Sequence, residues 1–335
     1  EALGLEHVDV ALVELPTPEV SREMLVAAFN VLEADRATGT LGRYGVSLMA
    51  TGEDLEAFAE RCLDAAEEVG GVEHGFSILA LPVNLAQGLD VIRALDAWAR
   101  RASVTLASNS PVDVRGEVPF RLVDPRGVHE PSRPTHETLA ALAREEDEFE
   151  RGLGATLRYP NGTPLGRFFD FARAFEAIET ELDDPSAYRA VEETVVVAPL
   201  RERVRVLDRA CGGALEPRWR AFKERYAKAL DAHLEALRAV MDARLAARTA
   251  PYADALAPFL PLTVAGESLT RKALLFLLSH PGIDFASMPI EDAAELDAMT
   301  TLFSLPKIRD VEGAVDALLA VRASALLPRT RGDGT

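Results

Sequence analysis

Short Val-, Ile- and Leu-rich runs alternate with segments of helical period over the first 108 residues, and this alternation constrains the fold more than any other feature. His7–Leu15 (HVDVALVEL) is apolar and stopped by Pro16, the pattern of a buried strand. Ser21–Thr38 places Met24, Ala27, Ala28, Val31 and Leu32 at helical spacing and stops at Gly39. Arg43–Met49 is a second strand. Gly52–Val69 is a second helix, with Leu55, Phe58, Ala59, Cys62 and Ala66 on one face and Gly70-Gly71 closing it. Phe76–Val83 (strand), Leu89–Ala102 (helix) and Ser103–Ser108 (strand) complete the series. Four apolar strands joined by three helices imply parallel βα units, because parallel neighbours need a crossover and a helix is the usual one. A doubly wound sheet and a barrel both satisfy the pattern, and periodicity does not separate them.

The rhythm halts at Pro111. Val112–Gly166 is rich in Pro, Gly and charge, with one helix predicted from Thr135 to Arg151. Further helices are predicted over Phe168–Leu182 and Ala187–Ala210, the latter kinked or divided by Pro199. Pro217–Arg248 is the clearest of all. Pro217 stands in its first turn, and Trp219, Phe222, Tyr226, Leu230, Leu234, Leu237, Met241 and Leu245 form one stripe, read as a core face rather than a cofactor box. A block this long is no ordinary loop. The βα rhythm resumes with a helix at Ser268–Ser279, a strand at Ile283–Met288, and helices at Ile290–Phe303 and Arg309–Ala323. The expected division is therefore 1–111 for the first βα units, 112–265 for a helical insertion, 266–325 for the last unit and its helix, and 326–335 for a tail.

Composition narrows the function. A formal net charge of -18 excludes a surface built for nucleic acid or anionic membrane, which needs clustered Lys and Arg. A small molecule or a protein is the better partner class. Two cysteines, Cys62 and Cys211, lack both metal-ligand spacing and a disulfide framework, so they are read as small apolar side chains in an intracellular, reducing compartment. No apolar run approaches the roughly 20 residues of a membrane span. The chain opens on Glu1 without Met and runs at once into core-like sequence, which predicts residues before it.

Several of these segments together resemble the aldo/keto reductases. Asp9-Val10-Ala11-Leu12-Val13-Glu14-Leu15-Pro16 resembles that family's fourth barrel strand, Phe29–Ser47 its following helix, turn and Gly-Val-Ser strand, and Leu81-Pro82-Val83-Asn84-Leu85 the sixth-strand run of an insertion-bearing branch. Ser110-Pro111-Val112 is similar to the Ser-Pro-Leu turn after the seventh strand, and Lys272–Gly282 to the helix before the eighth. Each motif is short, and their order and spacing carry the resemblance, over Leu5 to Asp113 and Gly266 to Leu305. It implies a partial (β/α) barrel of the TIM type, strands four to eight, with a large α-helical insertion after the seventh strand. A five-strand arc leaves open edges, so the strand His7–Leu15 is expected to be paired by residues outside this sequence, from a protein partner or an upstream segment completing the barrel.

The resemblance also implies a chemistry. Reductases of this kind pass hydride from a nicotinamide to a carbonyl while a Tyr, tuned by Lys and Asp, supplies the proton and a His positions the carbonyl. The Tyr, Lys and Asp belong to strands that this sequence does not cover. The His position is Glu14, a carboxylate also found there in members that reduce carbon–carbon double bonds; the plainer reading is a strand-end carboxylate facing solvent or an Arg. Ser47 matches a residue that holds the carboxamide, but Leu48 replaces the Asn expected next and Ala80 the expected Gln. Ser110 and Val112 would line a pyrophosphate path, unless Ser110-Pro111 is only a turn. Glu291 and Asp292 fall where cationic residues would grip an adenosine phosphate, and would repel it.

The remaining motifs are read blandly. The histidines show no metal-ligand pairing, with His233 read as packing or surface. Glu145–Glu148 is read as a solvated helix face. The two Gly-rich turns, near 152 and 212, lack the following Lys-Ser/Thr of a phosphate loop. Two readings follow. The first is a catalytically degenerate aldo/keto-reductase-like domain serving as a structural or interaction subunit, with no bound cofactor. The second is an NADP-dependent oxidoreductase acting on carbonyls, its Tyr, Lys and Asp supplied from an N-terminal region.

Overall fold

The computed structural model describes residues 6–50, 54–115, 120–127, 131–159, 161–181, 188–288, 290 and 293–326. In chain order the first unit opens with β1 (Val8–Leu15), α1 (Arg22–Ala37), β2 (Leu41–Leu48), α2 (Leu55–Gly70), β3 (Phe76–Leu81), α3 (Leu89–Ala102) and β4 (Thr105–Ser108). A two-stranded ribbon follows, β5 (Asp113–Val114) against β6 (Phe120–Arg121). The second unit carries α4 (Thr135–Phe149), α5 (Phe171–Glu181), α6 (Tyr188–Val191), α7 (Ala198–Ala210) and most of α8 (Glu216–Leu256). The first unit then closes with α9 (Leu269–Ser279), β7 (Phe285–Ala286), α10 (Ala293–Thr300) and α11 (Val311–Leu326).

The chain divides into two compact units, 1–124 with 249–335, and 125–248. The second is shorter at both ends than the expected 112–265. Val112 and Leu122 on one side, and Tyr252 and Leu256 on the other, are buried in the hydrophobic core of the first unit. Apolar burial, not the halt in βα rhythm, sets these boundaries.

Five parallel strands in the order β1-β2-β3-β4-β7 form one sheet that curls as a half-barrel. The expected strand Ile283–Met288 is reduced to Phe285–Ala286, bridging Ala107 and Ser108 of β4. Helices form where caps begin and glycines end them. Ser21 Oγ accepts from Met24 N at 3.3 Å to start α1, Asp54 Oδ1 from Ala57 N at 3.1 Å to start α2, and Gly39 ends the first at φ +78°.

One sheet face carries Tyr44, Val46, Leu48, Leu79, Leu81 and Leu106, and packs against Leu25, Phe29, Phe58, Ile92 and Trp98 of α1–α3. The opposite face carries Val10, Ile78, Ala80, Ala107 and Phe285. Register decides which residue falls where, since successive side chains alternate. Between Tyr44 and Gly45 the β2–β3 register slips. There a Cβ on Gly45 would lie 2.2 Å from the Ile78 carbonyl oxygen, so only glycine lets the strands close.

The second unit has its own core, built on the α8 stripe from Trp219 to Met241 with Phe149, Phe169, Phe175 and Tyr188. The helix predicted across Ala187–Ala210 is not divided at Pro199 but changes its winding before it. The helical run continues from Tyr188 to Ala210, and a π-helical stretch, Glu192–Val197, is built into it just before Pro199, whose ring and missing N–H disturb the regular ladder.

Candidate functional site

In parallel βα folds, ligands gather at the carboxyl ends of the strands, where loops converge and helix N-termini point. Register brings Glu14, Ser47 and Ala80 side by side there, and Ala80 pairs in turn with Ala107. Glu14 is exposed at the end of β1, and no ion pair holds it among the described residues. Ser47 is buried, at 9% exposure. Ala80, at the position where the resemblance would lead one to expect Gln, is small and buried, 1% exposed.

Two asparagines organise this end of the sheet. Asn109, just past β4, donates through Nδ2 to Ser47 Oγ at 2.8 Å and to the Leu48 carbonyl at 2.7 Å. Asn84, completely buried, donates to the carbonyls of Ser110 (3.1 Å) and Asp113 (3.0 Å) and accepts from Ala86 N at 3.0 Å. Ser108 Oγ donates to the Val83 carbonyl at 2.6 Å. The turn after β4 is thus fastened to the turn after β3, as buried polar groups require. Two atoms stay without a partner: Ser110 Oγ and Asn109 Oδ1, both shielded from solvent. Val112 lies in the core at 1% exposure rather than on an open path. Arg115 stands beside this network, its backbone N on Gln87 Oε1 at 2.9 Å and its guanidinium 2.8 Å from Met49 Sδ. Glu291 and Asp292, the acidic pair of the eighth-strand turn, lie outside the described residues.

Of the residues singled out in the sequence, Ser47 and Ser110 share this network, Glu14 stands beside Ser47 on the open strand, and Val112 is withdrawn from it. Asn109 and Arg115 were not read from sequence, and Asn84 entered only within a matching run. The available signal was an amide set between apolar neighbours at Val83-Asn84-Leu85, since a buried Asn needs partners and usually organises a turn.

Burial pushes the Cys62 thiol up to about 12 and raises Cys211, so neither is a ready nucleophile. Among the described residues no three His, Cys, Asp or Glu side chains cluster to hold a metal. An open groove of about 350 Å³ at the start of β4, lined by Asp96, Arg100, Thr105 and Asp284, lies at the amino end of the strand, where residues serve stability.

The acidic run Glu145–Glu148 is not wholly solvated. The α4 period that buries Thr138, Leu142 and Phe149 also turns Glu146 inward, to 7% exposure. Its carboxylate accepts from Phe171 N (2.8 Å), Ala172 N (3.2 Å) and the Tyr226 hydroxyl (3.0 Å), and so caps α5 from a distance. Desolvation holds its pKa above the usual value despite these bonds. His233 is fully buried, with Nδ1 3.0 Å from Thr138 Oγ1 and its ring edge-on to Phe175. No described helix is long and apolar enough to cross a membrane. No family model matches the chain, and neither does any curated protein.

Proposed function

We propose that this chain is an aldo/keto-reductase-like half-barrel that serves as a structural or interaction subunit, completed by a protein partner, and that its strand-end site does not hold a nicotinamide. The observation that carries this reading is the closed network at the strand ends. Asn109 turns both amide hydrogens to protein acceptors, and Ser47 is almost buried. A carboxamide needs free donors and acceptors on an accessible rim. The residues present do not fit one: the atoms without partners, Ser110 Oγ and Asn109 Oδ1, are closed to solvent, and Val112 is packed in the core. Glu14 is then a solvent-facing carboxylate at a strand end.

The same two orphaned atoms favour a second reading, an NADP-dependent oxidoreductase of carbonyl compounds whose Tyr, Lys and Asp come from outside this sequence. Buried polar atoms without partners cost about 1–3 kcal/mol each, and a ligand that satisfied them would recover that. Fluorescence titration of the complete protein, with the segment that would supply Tyr, Lys and Asp present, separates the two when NADPH is added. The expected result is no saturable binding at micromolar concentration. A micromolar or tighter Kd would install the oxidoreductase reading.

A further inference from the structure

Two open surfaces meet along one side of the first unit. β1 pairs with β2, and among the described residues no strand lies on its other edge. The helix that follows, α1, has α2 on the side bearing Arg22 and Glu33: Arg22 pairs with Glu68 of α2, and Glu33 accepts from Gly75 N at 2.6 Å, just beyond that helix. At about 3.6 residues per turn, Met24, Ala28, Val31 and Asp35 fall on the opposite side of α1. Met24 and Val31 are 61% and 62% exposed there, while neighbouring Leu25 and Phe29 are buried in the core.

Strands and helices advance together in this unit: β1 pairs β2 and β2 pairs β3, while α1 packs on α2 and α2 on α3. The free strand edge and the apolar helix stripe are the same step of that series, left uncovered in both layers. We propose that they form one docking surface for a βα unit of a partner polypeptide, its strand added parallel to β1 and its helix laid along Met24, Ala28 and Val31.

Charge selects the occupant. Asp9, whose side chain is 97% exposed and lies 4.0 Å from His7, stands with exposed Glu23 and Asp35 around this surface, while Glu14 and Arg43 share the Val10 face of the sheet, away from α1. A second copy would bring these carboxylates against themselves, in a chain of net charge -18. A helix with basic flanks meets them favourably and associates faster. The proposal deepens the interaction reading above and rests on it.

The test uses the full chain and a fluorescent synthetic helix with a Leu/Ala stripe flanked by Lys, read by anisotropy. Saturable binding is expected, weakened about tenfold or more in the Met24→Gln/Val31→Gln double variant and by added salt. Binding should persist in Val72→Gln, which alters a 99% exposed valine elsewhere, and should vanish for the same peptide with Glu in place of Lys. Circular dichroism checks that the variants fold. Absence of binding, equal binding of the Glu peptide, or indifference to the double substitution overturns the proposal. So does a dimer in sedimentation that the double substitution abolishes, which makes a second copy the occupant. NADPH binding with peptide binding intact would remove the degenerate-enzyme reading and leave the surface standing. Failure of the peptide without NADPH binding would do the reverse.

Discussion

Replacing Asn84 by Ala tests whether the strand-end network holds the first unit together. The side chain is fully buried and makes three hydrogen bonds, to the Ser110 and Asp113 carbonyls and from Ala86 N. Truncation orphans all three groups, at about 1–3 kcal/mol for each that stays dry. Asp113 is only half-buried and water will reach it, so a total near 3 kcal/mol is expected, at the low end of that sum. The chain's two tryptophans make the assay local: Trp98 lies buried in the first unit and Trp219 in the second. In a Trp219→Phe background, fluorescence reports the first unit alone. With a urea dependence of about 2–3 kcal/mol per molar, Asn84→Ala should lower that unit's midpoint by about 1–1.5 M. In a Trp98→Phe background, where Trp219 reports, the midpoint should move less. A first-unit shift below about 0.4 M would refute the reasoning, because it would mean that water or a relaxed turn replaces Asn84 at little cost.

Two further outcomes follow from the packing. Gly45→Ala should destabilise the first unit by about 2–3 kcal/mol, since its Cβ meets the Ile78 backbone rather than a flexible side chain, and a thermal melt that matches wild type would show that the β2–β3 slip can widen freely. Burial holds the His233 pKa below its usual 6.5, so the fold disfavours the charged ring; its contribution is fully present above pH 6.5 and is lost as pH falls below it. Stability of the second unit, read by Trp219 in the Trp98→Phe background, should therefore weaken on acidification from pH 6.5 to 5, and adding His233→Asn should flatten that limb; an unchanged slope would exclude His233 as its source.

The sequence by itself determined most of the local structure. The period of the apolar residues, with Ser21 and Gly39 as punctuation, delimits α1 to within a residue or two, and the Trp219–Met241 stripe marks the core face of α8. These features are local, so a single chain segment encodes them. Ser47 and Ser110 were legible as candidates through the resemblance, but their surroundings were not. Asn109 reaches Ser47 across 62 positions, and Asn84 reaches Ser110 across 26, contacts that exist only once strand order and register are set. The reading of Glu145–Glu148 as solvated failed at Glu146 for the same reason, while Asp147 and Glu148 are exposed as read. Charge composition says nothing of which position on α4 faces inward, and the cost of burying Glu146 is offset by the N–H groups of Phe171 and Ala172, which the tertiary structure brings to it. Likewise the boundaries at 124 and 249 were decided by where Val112, Tyr252 and Leu256 find an apolar neighbour. Periodicity is written along the chain, but partnership depends on what folding places alongside.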